Sequence, residues 1–237
     1  MKKWNILMLT LVLSFISSGL FAHALWIETA ATGKIGHAQT VKVFYGEYAT
    51  GERDSIANWY SDVKAVTLWL TGPDQKKLEL KLTPGANYYE ASFTPAVNGA
   101  YTLTVSHEAR ELGGTTKYHF LSSAHVAVGK TIADAAQNDN VLKVHLDDAT
   151  SVKLKKQVLL KAFLNSAAAA GKTVSVFSPS GWSKELTTDA GGVVSFIPVW
   201  AGRYVIEISD MDKTPGQHYG KDYKATWKGA TYSFEVK

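Results

Sequence analysis

The sequence predicts an all-β protein made of two tandem immunoglobulin-like or transthyretin-like β-sandwich domains, with a short helical insertion in the first. The first observation is a repeat: the segment Ser92–Ser106 returns 103 residues later as Ser195–Ser209, with Ser, Phe, Pro, Gly, Tyr and Ser in register. Each copy has the pattern of strand, turn and strand. The second is the tyrosine after each turn, Tyr101 and Tyr204, because a tyrosine at such a corner is typical of immunoglobulin-like sandwiches. The repeat spacing also matches the roughly 100 residues of one such domain.

The first 22 residues have the composition of a secretory signal peptide. Lys2 and Lys3 precede the apolar run Ile6–Ile16, and small residues follow. We therefore expect cleavage after Ala22 and a periplasmic product. Without the two lysines, 23 basic side chains stand against 21 acidic ones, so the charge indicates no nucleic-acid partner. The chain has no cysteine, which excludes disulfides and thiolate metal sites, and no later segment is apolar for long enough to span a membrane.

The domain boundaries are predicted from the repeat and from a small, polar stretch between its copies. Residues 23–128 form the N-terminal immunoglobulin-like sandwich, residues 129–140 the linker, and residues 141–237 a C-terminal sandwich. The turn Thr188–Gly192 and the strand entry Gly202–Tyr204 of the C-terminal sandwich resemble those of carboxypeptidase-regulatory-like sandwiches.

The individual strands are predicted from alternation of apolar and polar residues between turn signals. An acidic and aromatic insertion follows the second strand, and its apolar spacing predicts a short helix between a cap at Asp54 and Val63. Beside the two repeat copies, the predicted strands are Leu25–Thr29, Gln39–Tyr45, Val63–Leu70, Lys77–Leu82, Tyr118–Val128, Val141–Leu146, Gln157–Phe163, Thr173–Ser178 and Lys224–Val236.

The start of the mature chain is the first candidate metal ligand. Cleavage after Ala22 would make His23 the terminal residue, whose amine and imidazole together chelate copper or nickel. Cleavage after Ala24 would discard it, and a bystander role beside the cleavage point stays open. Glu47, at the end of the second strand, is the candidate carboxylate ligand.

Two further candidate ligands lie on a predicted hairpin. If the hairpin is centred on Gly113, His107 and His119 are directly opposed, with Cβ atoms about 5 Å apart. His145 and His218 are predicted as lone surface histidines, and His125 lies too far along its strand from His119 to join the same site.

The four candidate ligands are predicted to meet at one end of the first sandwich. In immunoglobulin-type domains, the point where the chain enters, the loop after the second strand and the hairpin near the end of the domain lie at one end of the sandwich. His23, Glu47, His107 and His119 would then bind a divalent nickel, cobalt, copper or zinc ion. No phosphate-binding loop, metalloprotease helix motif or nucleophile elbow is present in the sequence, which predicts a protein that is not an enzyme.

Several short motifs resemble a widespread bacterial domain-of-unknown-function family. They are the start His23–Glu28, the strand end Phe44–Glu47, the turn Thr187–Gly191, the strand entry Ala201–Tyr204, and the tail from Thr214–Gly216 to Ala230–Val236. Members of that family are commonly labelled as periplasmic components of nickel or cobalt uptake. The resemblance implies a secreted, metal-associated β-protein, with His23 and Glu47 as the motif residues that could be ligands.

Two functions therefore follow from the sequence. The first is a periplasmic transition-metal-binding protein that captures its ion and supports uptake, with an inner- or outer-membrane metal transporter as partner. The alternative is a cell-envelope module that binds a protein or glycan through sandwich-end loops, using Trp59, Tyr60, Trp182 and Trp200. An oxidative copper enzyme built on the terminal histidine ranks behind both, because the sequence shows no open coordination position.

Overall fold

The all-β fold class is confirmed by a computed structural model that describes residues 23–129, 137–146 and 150–237. The predicted signal peptide and residues 130–136 of the predicted linker lie outside the described residues. None of the described helical segments is long and apolar enough to cross a membrane. The strands are β1 Ala24–Thr29, β2 Thr32–Gly33, β3 Gln39–Gly46, β4 Leu68–Thr71, β5 Lys77–Leu80, β6 Thr83–Pro84, β7 Tyr89–Phe93, β8 Gly99–Glu108, β9 Thr116–Val128, β10 Leu142–Leu146, β11 Val158–Leu164, β12 Ala167–Ala168, β13 Thr173–Phe177, β14 Ser183–Thr187, β15 Val193–Phe196, β16 Gly202–Asp212, β17 Gly216–His218, β18 Lys221–Tyr223 and β19 Ala225–Val236.

These strands form three main sheets, of which one is shared by both halves of the chain. The first sheet has the order β1-β3-β7-β6, and the second sheet has β10-β11-β12 with β15 also paired to β11. The long sheet has the order β14-β13-β16-β19-β9-β8-β4-β5, with β2 also paired to β9. Strands β19 and β9 pair in parallel, and this pairing joins the two halves into one sheet.

Two hydrophobic cores lie on opposite faces of the long sheet. The first core lies between the first sheet and strands β4, β5, β8 and β9, whereas the second lies between the second sheet and strands β13, β16 and β19. Side chains alternate along a strand, so the neighbours Phe120 and Leu121 on β9 enter different cores. On β19, Trp227 packs against the first core and Phe234 lies in the second. The two parallel strands are therefore covered on both faces.

The predicted tyrosine corner is present in both copies of the repeat. The Tyr101 hydroxyl donates to the Val97 carbonyl at 3.0 Å and accepts the Val97 N–H at 3.4 Å. The Tyr204 hydroxyl accepts the Trp200 N–H at 3.3 Å. Each tyrosine thus fixes the turn four residues before it, as the sequence repeat predicts.

The free edge of β1 is capped by side chains from the second half of the chain. The Thr231 hydroxyl donates to the Leu25 carbonyl at 2.7 Å, and the Ser233 hydroxyl donates to the Ile27 carbonyl. The Arg203 guanidinium donates to the Thr29 carbonyl at 2.9 Å. Buried carbonyls that lack a partner are costly, so these bonds replace the neighbouring strand that β1 does not have.

The side chain of Trp26 also anchors β1. It is completely buried, stacks on Phe44 at 5.4 Å between ring centroids, and packs with Val205 of the long sheet. Strand β1 is therefore held to the long sheet by edge hydrogen bonds and by aromatic packing.

The insertion after β3 differs from its prediction. Instead of one helix capped by Asp54, it contains two 3-10 turns, Ile56–Asn58 and Val63–Ala65, and the first begins after Ser55. Strand β4 accordingly starts at Leu68 and not at Val63. The apolar residues of the insertion follow helical spacing because they pack onto the first core, where Trp59 and Val63 are buried. That spacing needs only separate turns, not a continuous helix.

Replacement of Thr231 by Val tests the capping of β1. The change keeps the shape but leaves the Leu25 carbonyl without its buried donor, so the free energy of unfolding should fall by about 1–3 kcal/mol. Denaturant unfolding monitored by tryptophan fluorescence would measure this loss. The same substitution at the exposed Thr173 should change stability by less than about 0.5 kcal/mol. Equal effects at the two sites would show that the hydroxyl does not stabilise the edge.

Candidate metal centre

His23 is placed by the pairing of β1 with β3. Ala24 pairs with Gly46, so His23 and Glu47 directly adjoin the last paired residues at one end of this ladder. The imidazole packs beside the Tyr45 ring at 5.5 Å between centroids, and its Nε2 lies 3.4 Å from Asp54 Oδ2. The predicted neighbourhood of His23 and Glu47 is therefore present.

Gly46 allows the following segment to fold back onto the end of β3. Its φ is +146°, and a Cβ built there would lie 2.7 Å from the Glu52 carbonyl oxygen. The Glu52 N–H donates to the Glu47 carbonyl at 2.9 Å, and the Asp54 N–H donates to the Tyr45 carbonyl at 2.9 Å. A residue other than glycine would push this segment away, because the close approach is between backbones.

Arg53 and Trp59 fix the same segment from two sides. The Arg53 guanidinium lies 4.5 Å from the Trp26 ring centroid and 4.9 Å from that of Tyr48, which are cation–π distances. Burial lowers the pKa of Arg53. The Trp59 indole N–H donates to the Asp54 carbonyl at 3.1 Å. Glu52 and Asp54 are thereby held on a fixed backbone beside His23.

His23, Glu52 and Asp54 form the candidate metal centre. Each offers one donor atom, and the three atoms all lie within 4.8 Å of one another. Among the residues that the structure describes, no other group of three or more histidine and carboxylate side chains has donor atoms this close together. One imidazole and two carboxylates make a donor set that suits first-row transition metals.

Glu47 adds a buried carboxylate to the same neighbourhood. The residue is only 8% exposed, and its Oε2 has no hydrogen-bond partner. Burial raises the pKa of Glu47, with a smaller contribution from the negative charge of Glu52; the Ala49 N–H and His23 act in the opposite direction. A buried carboxylate with one unpartnered oxygen beside further carboxylates favours an approaching cation.

Glu207 on β16 adds a further carboxyl group to this region from the second half of the chain. Burial, with a smaller contribution from the negative charge of Glu47, raises its pKa to about 8. The carboxyl group is therefore held mainly in its protonated form near neutral pH. Glu207 stands at the repeat position of Thr104, so the repeat does not require a carboxylate there.

An aromatic cavity of about 250 Å³ opens beside His23. It lies between the first sheet and the hairpin of β8 and β9, with the imidazole at its edge. Its other lining residues are Tyr45, Tyr60, Gly113, Tyr118, Phe120 and Trp227. One side of the candidate metal centre therefore borders a largely apolar cavity.

The predicted opposition of His107 and His119 is wrong. The register of β8 and β9 pairs His107 with Phe120 and Glu108 with His119, which is one residue away from the predicted pairing. A shift of one residue reverses the face of the sheet to which each side chain points. The two imidazoles therefore lie on opposite faces of the long sheet and cannot share an ion with His23 and Glu47.

His107 and His119 have separate partners instead. The His107 ring nitrogen Nε2 lies 3.1 Å from Asp62 Oδ1. Burial alone would raise the pKa of Asp62, but hydrogen bonds from the Arg110 N–H and from His107 outweigh it and lower the pKa. His119 Nε2 lies 2.8 Å from the Ser106 hydroxyl.

His119 is held neutral by its surroundings. Burial, opposed by Glu108 and assisted by the positive charges of Lys117 and Lys228, lowers its pKa to about 4.

The two histidines that were predicted to lie on the surface, His145 and His218, are partly buried. His145, expected to face solvent, is half-buried and stacks on Phe163 at 5.5 Å between centroids. The His218 Nε2 lies 2.9 Å from the Ala109 carbonyl oxygen, so this histidine also has a structural partner. Of the aromatic residues considered for contacts, Trp59 is buried and Tyr60 lines the cavity.

The sequence prediction missed Glu52, Asp54 and Glu207 as members of this region. A signal for the first two was present, because the insertion after β3 is acidic and aromatic, and Asp54 was assigned to helix capping. Glu207 carried no such signal, since its approach to Glu47 depends on how β16 packs against the first sheet.

Comparison with other proteins gives only remote likenesses. No protein-family model matches the chain, and no curated protein matches it either. Among solved structures, trypsin-activated alpha-2-macroglobulin from Escherichia coli aligns over 90% of this chain at 11% identity, with a TM-score of 0.29. A segment of two fibronectin type-III domains from chicken tenascin aligns over 86% of this chain and 95% of its own length, at 10% identity and a TM-score of 0.22. The chain spans 16% of the length of the macroglobulin.

Replacement of Glu207 by Gln tests the electrostatics of this region through pH. The folded parent keeps a proton on Glu207 up to about pH 8, whereas the unfolded chain loses it near its ordinary pKa of 4.5. This group therefore removes stability as the pH rises through that window, by at most about 1.4 kcal/mol per pH unit. The Gln variant should gain stability relative to the parent from pH 5 to pH 8 in denaturant unfolding. Parallel profiles for the two proteins would contradict the raised pKa.

Proposed function

We propose that the protein binds a divalent transition-metal ion, of the nickel and cobalt class or copper or zinc, at His23, Glu52 and Asp54. The observation that carries the proposal is the convergence of one imidazole and two carboxylates within 4.8 Å on a backbone fixed by Gly46, Arg53 and Trp59. The function is capture of the ion, and we assign no catalysis to the site.

Electrostatics support a cation at this position. Glu47 carries an unpartnered buried oxygen, and the pKa values of Glu47 and Glu207 are both raised. A bound divalent ion would offset the repulsion among these carboxylates and would stabilise their charged forms. The imidazole favours nickel, cobalt, copper or zinc over magnesium or calcium, which prefer oxygen ligands alone.

The position of His23 links the site to export. Cleavage after Ala22 would leave an α-amino group on His23, within reach of the same ion as its imidazole. The protein would then acquire its complete donor set only in the periplasm. A periplasmic protein that captures an ion in this way would supply a membrane metal transporter, as the family resemblance implies.

Calorimetric titration of the metal-free protein tests the assignment. Nickel, cobalt, copper and zinc are added in turn to the parent and to the His23→Ala and Asp54→Asn variants. Each substitution removes a proposed ligand, so the affinity for the preferred ion should fall by about tenfold or more. The intact mass of the exported protein, measured on the same sample, shows whether His23 is retained.

Two histidines of the long sheet, His107 and His119, serve as matched controls. His107→Ala and His119→Ala remove imidazoles that are as enclosed as any ligand but lie outside the proposed site. Both variants should bind the preferred ion as the parent does. Loss of binding in these variants, with retention in His23→Ala, would refute the ligand assignment.

A further inference from the structure

A patch of exposed apolar side chains lies at the repeat turn of the second half of the chain, and we call it the tryptophan face. It is made by Trp182, Ile197, Val199 and Trp200, whose exposed fractions are 38%, 57%, 49% and 37%. The two indole rings lie 5.7 Å apart between centroids, along a groove of about 440 Å³. Four large apolar side chains exposed together are uncommon on a surface that stays in water.

The fold itself does not require these side chains. In the first copy of the repeat, the positions equivalent to Ile197, Val199 and Trp200 hold Thr94, Ala96 and Val97. Both turns are fixed by the same tyrosine-corner hydrogen bond, from the N–H of the residue four positions before the tyrosine. The same turn geometry thus accepts Thr, Ala and Val in one copy and the larger residues Ile, Val and Trp in the other. The apolar residues of the second copy therefore serve something other than folding.

Lysine residues lie beside the tryptophan face. Lys184 lines the groove with the two tryptophans, and the Lys155 N–H donates to the Pro198 carbonyl at 2.8 Å, which sets the loop of residues 153–156 beside the turn. Lys155, Lys156 and Lys184 are exposed, and none of them forms an ion pair with a carboxylate of the described residues. Among the residues that the structure describes, those that line the groove include no acidic side chain. The face is therefore apolar at its centre and positive at its edge.

We propose that the tryptophan face binds the surface of an anionic lipid bilayer. Tryptophan prefers the boundary between acyl chains and headgroups, because its ring is apolar and its N–H is polar. Lysines beside it are attracted to anionic headgroups. Exposed aliphatic side chains gain from contact with acyl chains, whereas a glycan would offer them mainly hydroxyl groups. The aliphatic pair Ile197 and Val199 therefore favours lipid over glycan.

Vesicle co-sedimentation of the purified protein tests this proposal, with the same N-terminus in every variant so that residues 1–22 contribute equally. The vesicles are made of phosphatidylcholine alone or of phosphatidylcholine mixed with phosphatidylglycerol. The parent should bind the mixed vesicles about tenfold more tightly than the neutral ones, and high salt should reduce this difference.

A variant that copies the first repeat turn separates the apolar contribution. Ile197→Thr, Val199→Ala and Trp200→Val together install residues that the same turn geometry already accepts, so the fold should persist. Binding to the mixed vesicles should fall by about tenfold or more. Val97→Ala, which trims an apolar residue of 53% exposure in the first copy, should bind as the parent does.

A second variant separates the charge contribution. Lys155→Gln with Lys184→Gln should reduce the preference for anionic vesicles and leave weak binding to neutral ones. Equal binding of the parent to both kinds of vesicle would overturn the proposal, as would unchanged binding of the triple variant. Binding of soluble anionic polysaccharide by the parent, lost in the triple variant and without vesicle binding, would overturn it in favour of a glycan.

Discussion

The edge of β1 is the constraint on which the rest of the structure depends. This strand has a neighbour on one side only, and its outer carbonyls are buried against the long sheet. Thr231, Ser233 and Arg203 from the second half of the chain donate to them in place of a strand. Because these donors come from residues 174 to 206 positions away, the first strand is held in place by the second half of the chain.

The candidate metal centre follows from that placement. His23 immediately precedes β1, so fixing the strand also fixes the imidazole near Glu47. Gly46 then permits the chain to turn back closely enough to bring Glu52 and Asp54 beside it. Glu207 reaches the same region from β16, which neighbours β19 in the long sheet. A carboxyl-rich region is thus assembled from three separate parts of the sequence, with one imidazole at its solvent side.

Much of the fold could be predicted from local patterns. The repeated strand, turn and strand, the tyrosine corners and most strand positions follow from alternation and from turn residues, which act over a few positions. The hairpin of β8 and β9 shows where this reasoning stops. Its register is set by cross-strand packing, and an error of one residue moved His107 and His119 to the wrong relative faces. The helix after β3 failed for a related reason, because apolar spacing does not distinguish a continuous helix from two separate turns.

The candidate site was only partly predictable for the same physical reason. His23 and Glu47 lie near one another because they adjoin Ala24 and Gly46, which are paired in the ladder of β1 and β3. Asp54 and Glu52 depend on a backbone contact at Gly46, and Glu207 depends on packing between halves of the chain. The sharing of one sheet between both cores was also beyond local reasoning, since the parallel pair of β9 and β19 joins segments far apart in sequence.

The position of a bound ion tests the central claim most directly. Crystals grown with nickel, and measured at wavelengths on both sides of the nickel absorption edge, would locate the ion by its anomalous scattering. The account predicts a single strong peak within coordination distance of the His23 imidazole and the carboxylates of Glu52 and Asp54. A peak beside His107 or His119, with none at His23, would contradict it.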